Sequence, residues 1–221
     1  MHGTDAEAHT LPESFFARDT VTVARELLGK VLVSRVGDTV TGGRIVETEA
    51  YLGAHDPGSH AATKGITRRN AVMYGPPGRA YVYFTYGNHH MLNIVTEPEG
   101  TAGAVLIRAI EPRIGREEML LRRPSKSGGT PLRERDLTNG PGKLAAALGV
   151  DLRSNGAVLG AGTLAVHDAP APHECVVASG RVGLSEGHEL ELRFFLEGNS
   201  FVSAGRVGPK PSRARSGKGR T

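Results

Sequence analysis

The stretch RIVETEAYLG, Arg44 to Gly53, sets two carboxylates and a phenol at alternate positions: Glu47, Glu49 and Tyr51. Side chains two apart in a strand share a face, so these three point one way and Val46, Thr48 and Ala50 the other. A carboxylate beside an aromatic ring makes a pocket floor, and proton transfer is the chemistry it would bring there. The same residue types suit a solvent-facing strand side, and this segment alone leaves both open. A second concentration lies in YVYFTYG, which holds Tyr81, Tyr83, Phe84 and Tyr86 in a chain with five tyrosines and no tryptophan. Parity puts Tyr81 and Tyr83 on one face. Tyr86 falls just before Gly87-Asn88, at a hairpin tip where a large ring is hard to bury. A tip ring can wedge between bases or stack on one, whereas Tyr81 and Phe84 equally suit cross-strand core packing.

The elements that must position these residues are legible in outline. DTVTVARELLGK reads as a short helix capped at Asp19 or Thr20 and ended by Gly29. KVLVSRV and TVTGGRIVETEAYLG flank Gly37-Asp38 as a hairpin. A polar loop runs from His55 to Met73, and YGPPG then turns the chain into a second hairpin, RAYVYFTYGNHHMLNIVT. GAVLIRAIEP reads as a strand and GREEMLLRR as a basic helix. TNGPGKLAAALGVD reads as a helix with its cap at Asn139 or Thr138, Pro141 in the first turn and Gly149 at the end. GTLAVHD, ECVVASGRVGL, LELRFFLEG and FVSAGR follow as short strands. Short helices among hairpin-connected strands predict an α+β fold: one domain with a twisted, mostly antiparallel sheet and a protruding β-hairpin.

Composition narrows the function classes. No run of apolar residues is long enough to span a membrane, and the first thirty residues lack the apolar stretch of a secretory signal. The single cysteine, Cys175, has no intramolecular partner; it fits a reducing compartment and reads as a buried small hydrophobe. The formal net charge is +4, unevenly spread. From Gly205 onward Arg206, Lys210, Arg213, Arg215, Lys218 and Arg220 meet no acid, and Arg113 to Arg135 is also rich in arginine. A polyanion such as DNA or RNA suits this distribution, although basic tails also serve solubility alone. The histidines show no zinc-site spacing, so no metal and no cofactor are expected. NGPGKLAAALG lacks the spacing of a phosphate loop, and its use is a helix N-terminus that, with Lys143, meets a phosphate.

RIVETEAYLG, His60, the TRRN and Met73 of segment 67–73, YVYFTYG, Asn93 and VLIRAIEP, in this order and spacing, resemble the alkyladenine (3-methyladenine) DNA glycosylase family from about Thr20 to Arg206. The resemblance implies that Glu49 is the general base that activates water. Tyr51, His60 and Tyr83 would box a flipped-out base, Asn93 would clash with the 2-amino group of guanine, and Tyr86 would fill the hole left in the duplex. Arg108 and the backbone carbonyl of Val182 would hold the water beside Glu49. Lys143 and Arg69 would meet the DNA backbone. The sequence departs from the family at the hairpin tip, where Asn88, His89 and His90 stand in place of methionine or aromatic residues.

Physical chemistry supports that reading. A glycosylase must extrude its nucleotide, at an unpairing cost of a few kcal/mol. A cationic base gains roughly 0.5–2 kcal/mol over aromatic faces. Arg108, placed by parity with Leu106 and Ile110, is a lone arginine in an apolar strand; Glu49 is its best partner, and a solvent-facing edge is the alternative. Glu47 is left with a supporting role. No lysine sits in an apolar setting near these motifs, which disfavours an amine nucleophile. The expected protein is a monomeric, monofunctional DNA glycosylase of base excision repair acting on duplex DNA with damaged purines. It would work in the bacterial cytoplasm or, in a eukaryote, the nucleus. A non-catalytic nucleic-acid binder on the same fold and a nucleoside hydrolase are the rivals. Residues 11–208 form the expected domain, between a disordered N-terminus at 1–10 and a disordered basic tail at 209–221.

Overall fold

The computed structural model describes residues 9–85, 87–123, 132–205 and 207–208. The expectations for Tyr86, residues 1–8 and the tail from 209 therefore lie outside the described residues. The chain begins with a one-turn helix α1 (Glu13–Phe16) and helix α2 (Thr20–Glu26). Asp19 caps α2 by accepting the Thr22 N–H at 2.8 Å. Strands β1 (Val31–Val36) and β2 (Thr39–Tyr51) form the first hairpin, and Gly37 supplies the positive φ (+58°) that its tight turn demands. Helix α3 (His60–Lys64) follows a loop capped by Ser59. Strands β3 (Ala80–Thr85) and β4 (His89–Val95) form the second hairpin, β5 (Ala104–Ile114) returns through the middle of the sheet, and α4 (Arg116–Arg122) and α5 (Pro141–Leu148) follow. Strands β6 (Leu164–His167), β7 (Val176–Ser179) and β8 (Arg193–Leu196) complete the described elements.

All strand pairings are antiparallel, in the order β3-β4-β5-β2-β1-β6, with β8 paired to the second half of β2 and β7 to β8. The thirteen-residue β2 is the spine. Its first half runs beside β1; over Glu47–Glu49 it is held by β5 on one edge and β8 on the other. The even face of this segment belongs to the core. Val46 and Ala50 pack with Val23, Ala24 and Leu28 of the α2 region, and Thr48 donates its hydroxyl to the Ala24 carbonyl at 2.8 Å. Glu47, Glu49 and Tyr51 therefore share the opposite face, as alternation required. Helix α5 covers β4 and β5, burying Leu144, Ala145, Ala147 and Leu148. The tip of the β3–β4 hairpin protrudes, because β4 meets β5 only over Asn93–Val95.

Several local expectations change. The β2–β5 register slips three times, leaving Val46 without a partner in β5 and Arg113 and Arg108 without one in β2. Such bulges reset side-chain alternation. Ala109 and Ile110 both enter the core, so Ile110 does not share the Arg108 face. Neither Asn139 nor Thr138 caps α5; Gly140 occupies that place, Thr138 donates to the Ile110 carbonyl, and Asn139 accepts from Lys143 Nζ at 2.6 Å. FVSAGR forms no strand over its described residues, 201–205, and the isolated bridge between Val182 and Val207 lies just beyond it. Cys175 is exposed rather than buried, since it precedes β7 at the open edge of the sheet. Phe84 is 44% exposed on the protruding hairpin and is not core. Among the described residues no helix is long and apolar enough to cross a membrane.

Candidate active site

The odd face of β2 carries a buried ionic network. Glu49 is fully buried and meets three donors. Its Oε1 accepts the Val182 N–H at 2.7 Å, its Oε2 accepts the Tyr51 hydroxyl at 2.9 Å, and Arg108 Nη1 stands 3.2 Å from Oε2. Each carboxylate oxygen has two lone pairs. Among the described residues Oε1 therefore keeps one lone pair unengaged, beside the peptide of Val182.

Glu47 is the deeper anchor. Its Oε1 accepts Arg108 Nε at 2.8 Å, Arg193 Nε at 2.6 Å and the Ser203 hydroxyl at 2.8 Å, and its Oε2 accepts the Ser203 N–H at 2.7 Å. Burial by itself would raise the Glu47 carboxyl, but Arg108, Arg193 and the Ser203 N–H overcome it and hold the group below its ordinary value. Burial works against the Arg108 charge too, yet Glu49 and Glu47 raise its pKa. Arg108 thus bridges the two carboxylates, with its shortest bond to Glu47 rather than to Glu49 alone. Its bulged position in β5 lifts it off the ladder and aims it into this network. Burial, then the Glu49 carboxylate, push the Tyr51 phenol far up, so it serves as a donor.

A cavity of about 300 Å³ opens beside this network, and Tyr51, Arg108 and Val182 line it. Three further aromatic residues, His60, Tyr81 and Tyr83, line it too. His60 and Tyr83 have ring centroids 4.6 Å apart, and Tyr81 and Tyr83 5.3 Å. His60 Nδ1 is 2.9 Å from the Tyr81 hydroxyl. Burial, then Arg69, lower the His60 pKa, and burial pushes the Tyr81 phenol up to about 12. The ring nitrogen–hydroxyl contact is thus one between neutral groups. His60 is held in place by buried Asn70, whose Nδ2 donates to the His60 carbonyl at 2.9 Å and the Gly65 carbonyl at 2.8 Å. Asn93 pairs with Tyr81 across the hairpin, lines the cavity, and donates Nδ2 to the Tyr81 carbonyl at 3.0 Å.

The structure thus brings Arg108, Val182, Tyr51, His60, Tyr83 and Asn93 to one cavity. Glu49 does not itself line it, but all three of its partners, Tyr51, Arg108 and Val182, do. Lys143 and Arg69 stand outside it. Lys143 lies in the first turn of α5, next to the cavity-lining Pro141, and Arg69 lies 4.9 Å from the Tyr83 ring centroid without lining the cavity. At the hairpin tip His89 packs against Gly142 of α5, and the rings of Phe84 and His90 are 5.1 Å apart. Sequence reasoning missed Arg193, Ser203, Asp56 and Arg181. Arg193 carried a signal, a lone arginine in LELRFFLEG like Arg108 in its own strand. Among the described residues no group of three or more His, Cys, Asp or Glu could hold a metal ion.

Residues 14–200 match the family model described as "Methylpurine-DNA glycosylase (MPG)". The chain belongs to the methylpurine-DNA glycosylase family. Proteins named "Putative 3-methyladenine DNA glycosylase" align with it over most of its length. The one from Methanoculleus marisnigri is 47% identical over 198 residues, 88% of this chain and 98% of its own length. The one from Chlorobaculum parvum is 46% identical over 209 residues, covering 93% and 96%, and the one from Chlorobium luteolum 48% over 198, covering 89% and 97%. The protein is accordingly a DNA glycosylase, a DNA-binding hydrolase of base excision repair.

Proposed function

We propose that this glycosylase flips alkylated or deaminated purines out of duplex DNA and hydrolyses their N-glycosidic bond with a water activated by Glu49. The observation that carries this reading is that Glu49 Oε1 keeps an open lone pair beside Val182, while its partners Tyr51, Arg108 and Val182 all line a cavity shared with His60 and Tyr83. A water there would accept from Arg108 or donate to the Val182 carbonyl while giving a proton to Glu49. Its oxygen attacks the anomeric carbon as the C–N bond breaks, and the bonding pair leaves with the base. Products are an abasic site and the free base. A cationic base departs without an acid; a neutral base such as hypoxanthine takes up a proton as it leaves.

The base would stack between Tyr51 on one side and His60 with Tyr83 on the other, and such stacking is worth about 1–3 kcal/mol per base. That gain offsets the few kcal/mol lost on unstacking, most fully for poorly paired lesions. Asn93 is held by its bond to the Tyr81 carbonyl, so it would meet an exocyclic amine with a fixed amide. Lys143 and Arg69 would take phosphates, and Tyr86 at the tip would fill the vacated stack. The enzyme would act as a monomer, with residues 11–208 as its working domain.

The deciding assay incubates duplex oligonucleotides bearing hypoxanthine, 1,N6-ethenoadenine or methylated purines and detects abasic sites. Wild type should release the base and Glu49→Gln should not, while still binding the duplex. Undiminished release by Glu49→Gln would overturn the mechanism.

A further inference from the structure

Behind the Tyr51 wall lies a second buried ion pair. Arg181 is fully buried and Asp56 is 1% exposed. The guanidinium grips Asp56 with both arms, Nη1 to Oδ2 and Nη2 to Oδ1, each at 2.5 Å. Nη1 also donates to the Ala50 carbonyl at 3.0 Å and Nη2 to the Gly187 carbonyl at 3.1 Å. Asp56 in turn accepts the Leu52 N–H at 3.1 Å and the Gly58 N–H at 3.0 Å. Arg181 Nε finds no hydrogen-bond acceptor among the described residues, and the guanidinium carbon lies 4.8 Å from the centroid of the Tyr51 ring. Arg181 does not line the cavity, so it braces the side of that ring turned away from it.

We propose that Arg181 and Asp56 are a positioning pair that fixes three separate segments of the active site relative to one another. Those segments are the end of β2 with Glu49 and Tyr51, the turn that leads to His60, and the 181–187 loop that carries Val182. The inference rests on the reading of Glu49 as the base.

Burying two opposite charges is costly, and apolar side chains would fill the same space at less cost. What the fork supplies instead is direction, because each N–H bond pins one point of one segment. The backbone is drawn in tightly around it. A Cβ at Gly58 would stand 2.7 Å from Nη2, and one at Gly187 2.9 Å, with Gly187 already at φ +67°. Val182 follows Arg181 directly in the chain, and its N–H bond to Glu49 Oε1 is 2.7 Å long. Turning the guanidinium therefore moves the peptide beside which the attacking water would sit. A shift of about 1 Å in a reacting group can cost about a hundredfold in rate.

The test compares Arg181→Met, Arg181→Lys and Asp56→Asn. For each, single-turnover hypoxanthine release is measured per folded molecule, folded fraction being taken from thermal melts. Affinity is measured for a duplex carrying a tetrahydrofuran abasic analogue. Arg181→Met should lose tenfold or more in rate while affinity stays within about twofold. Arg181→Lys should fall between Met and wild type, because an ammonium keeps the charge but not the fork. A purely structural role would lower activity only through the folded fraction. A rate per folded molecule within about twofold of wild type in Arg181→Met would overturn the proposal. If that variant does not fold, Arg181→Lys and Asp56→Asn decide by the same criterion. Where a methylated purine is the better substrate, it replaces hypoxanthine in the comparison; wild type that releases none of hypoxanthine, ethenoadenine and methylated purines, or release indifferent to Glu49→Gln, would instead overturn the proposed function. An active, Glu49-dependent enzyme with an indifferent Arg181 would sink the positioning pair alone.

Discussion

Glu47→Gln is the substitution whose cost the structure lets one work out. Two carboxylates, Glu47 and Glu49, face two nearly buried guanidiniums, Arg108 at 5% and Arg193 at 7% exposed. Gln removes one negative charge and leaves the pair of cations with Glu49 alone. Its amide also mismatches the site. If the Gln oxygen stays with the guanidiniums, its NH2 faces the Ser203 N–H that Glu47 Oε2 now accepts at 2.7 Å, donor against donor. Removing one partner of a buried pair costs about 3–5 kcal/mol. At about 2–4 °C per kcal/mol for a chain of this size, the melting temperature should drop by roughly 6–20 °C. Activity per folded molecule should fall as well, because Arg108 loses its 2.8 Å anchor and both guanidiniums turn toward Glu49. Thermal melts, urea titration and single-turnover excision on the same preparations would check this. A loss of stability under about 1 kcal/mol with normal excision would refute the reasoning, showing that Ser203 and solvent compensate the cations.

The same carboxylate makes stability pH-dependent. Its pKa is lower in the folded state than the ordinary 4.5, so its contribution is complete above that value and drains as pH falls through it toward the folded pKa. Acid titration of unfolding should therefore be steeper below pH 4.5 in wild type than in Glu47→Gln, and parallel curves would contradict the assignment. Asn93→Ala removes one hydrogen bond, costing about 1 kcal/mol, and should raise release of normal guanine relative to hypoxanthine. Lys143, with its side chain 41% exposed at the start of α5, should contribute one phosphate contact. Lys143→Ala would then lower the slope of log affinity against log salt by about 1, as DNA-binding titrations would show.

How much of this was legible in the sequence depends on range. Alternation within ETEAY correctly separated Glu49 and Tyr51 from Val46 and Ala50, because that face is set by covalent geometry along one strand. The turn chemistry of Gly37-Asp38 and Gly87-Asn88 likewise located both hairpins. Alternation failed at Ile110, since a bulge is decided by how two strands meet. Arg181 and Asp56 lie 125 residues apart, and no local pattern links them. Glu47 looked like a spare copy of Glu49 because its partners, Arg193 and Ser203, are more than a hundred residues away and arrive only when β8 docks on β2.

That docking divides the molecule mechanically. Segment Glu47–Glu49 is hydrogen-bonded on both edges, whereas Ala80–Thr85 is the terminal strand of the sheet and the far end of its hairpin is paired only to itself. Amide hydrogens of the first should exchange only on global unfolding, those of the hairpin tip by local opening. A protein that must travel along a duplex and test each base pair gains from this partition. On the proposed function, the hairpin that would probe DNA is the compliant part and the carboxylate that would do the chemistry is the clamped one, so a failed encounter would deform the finger without disturbing the site.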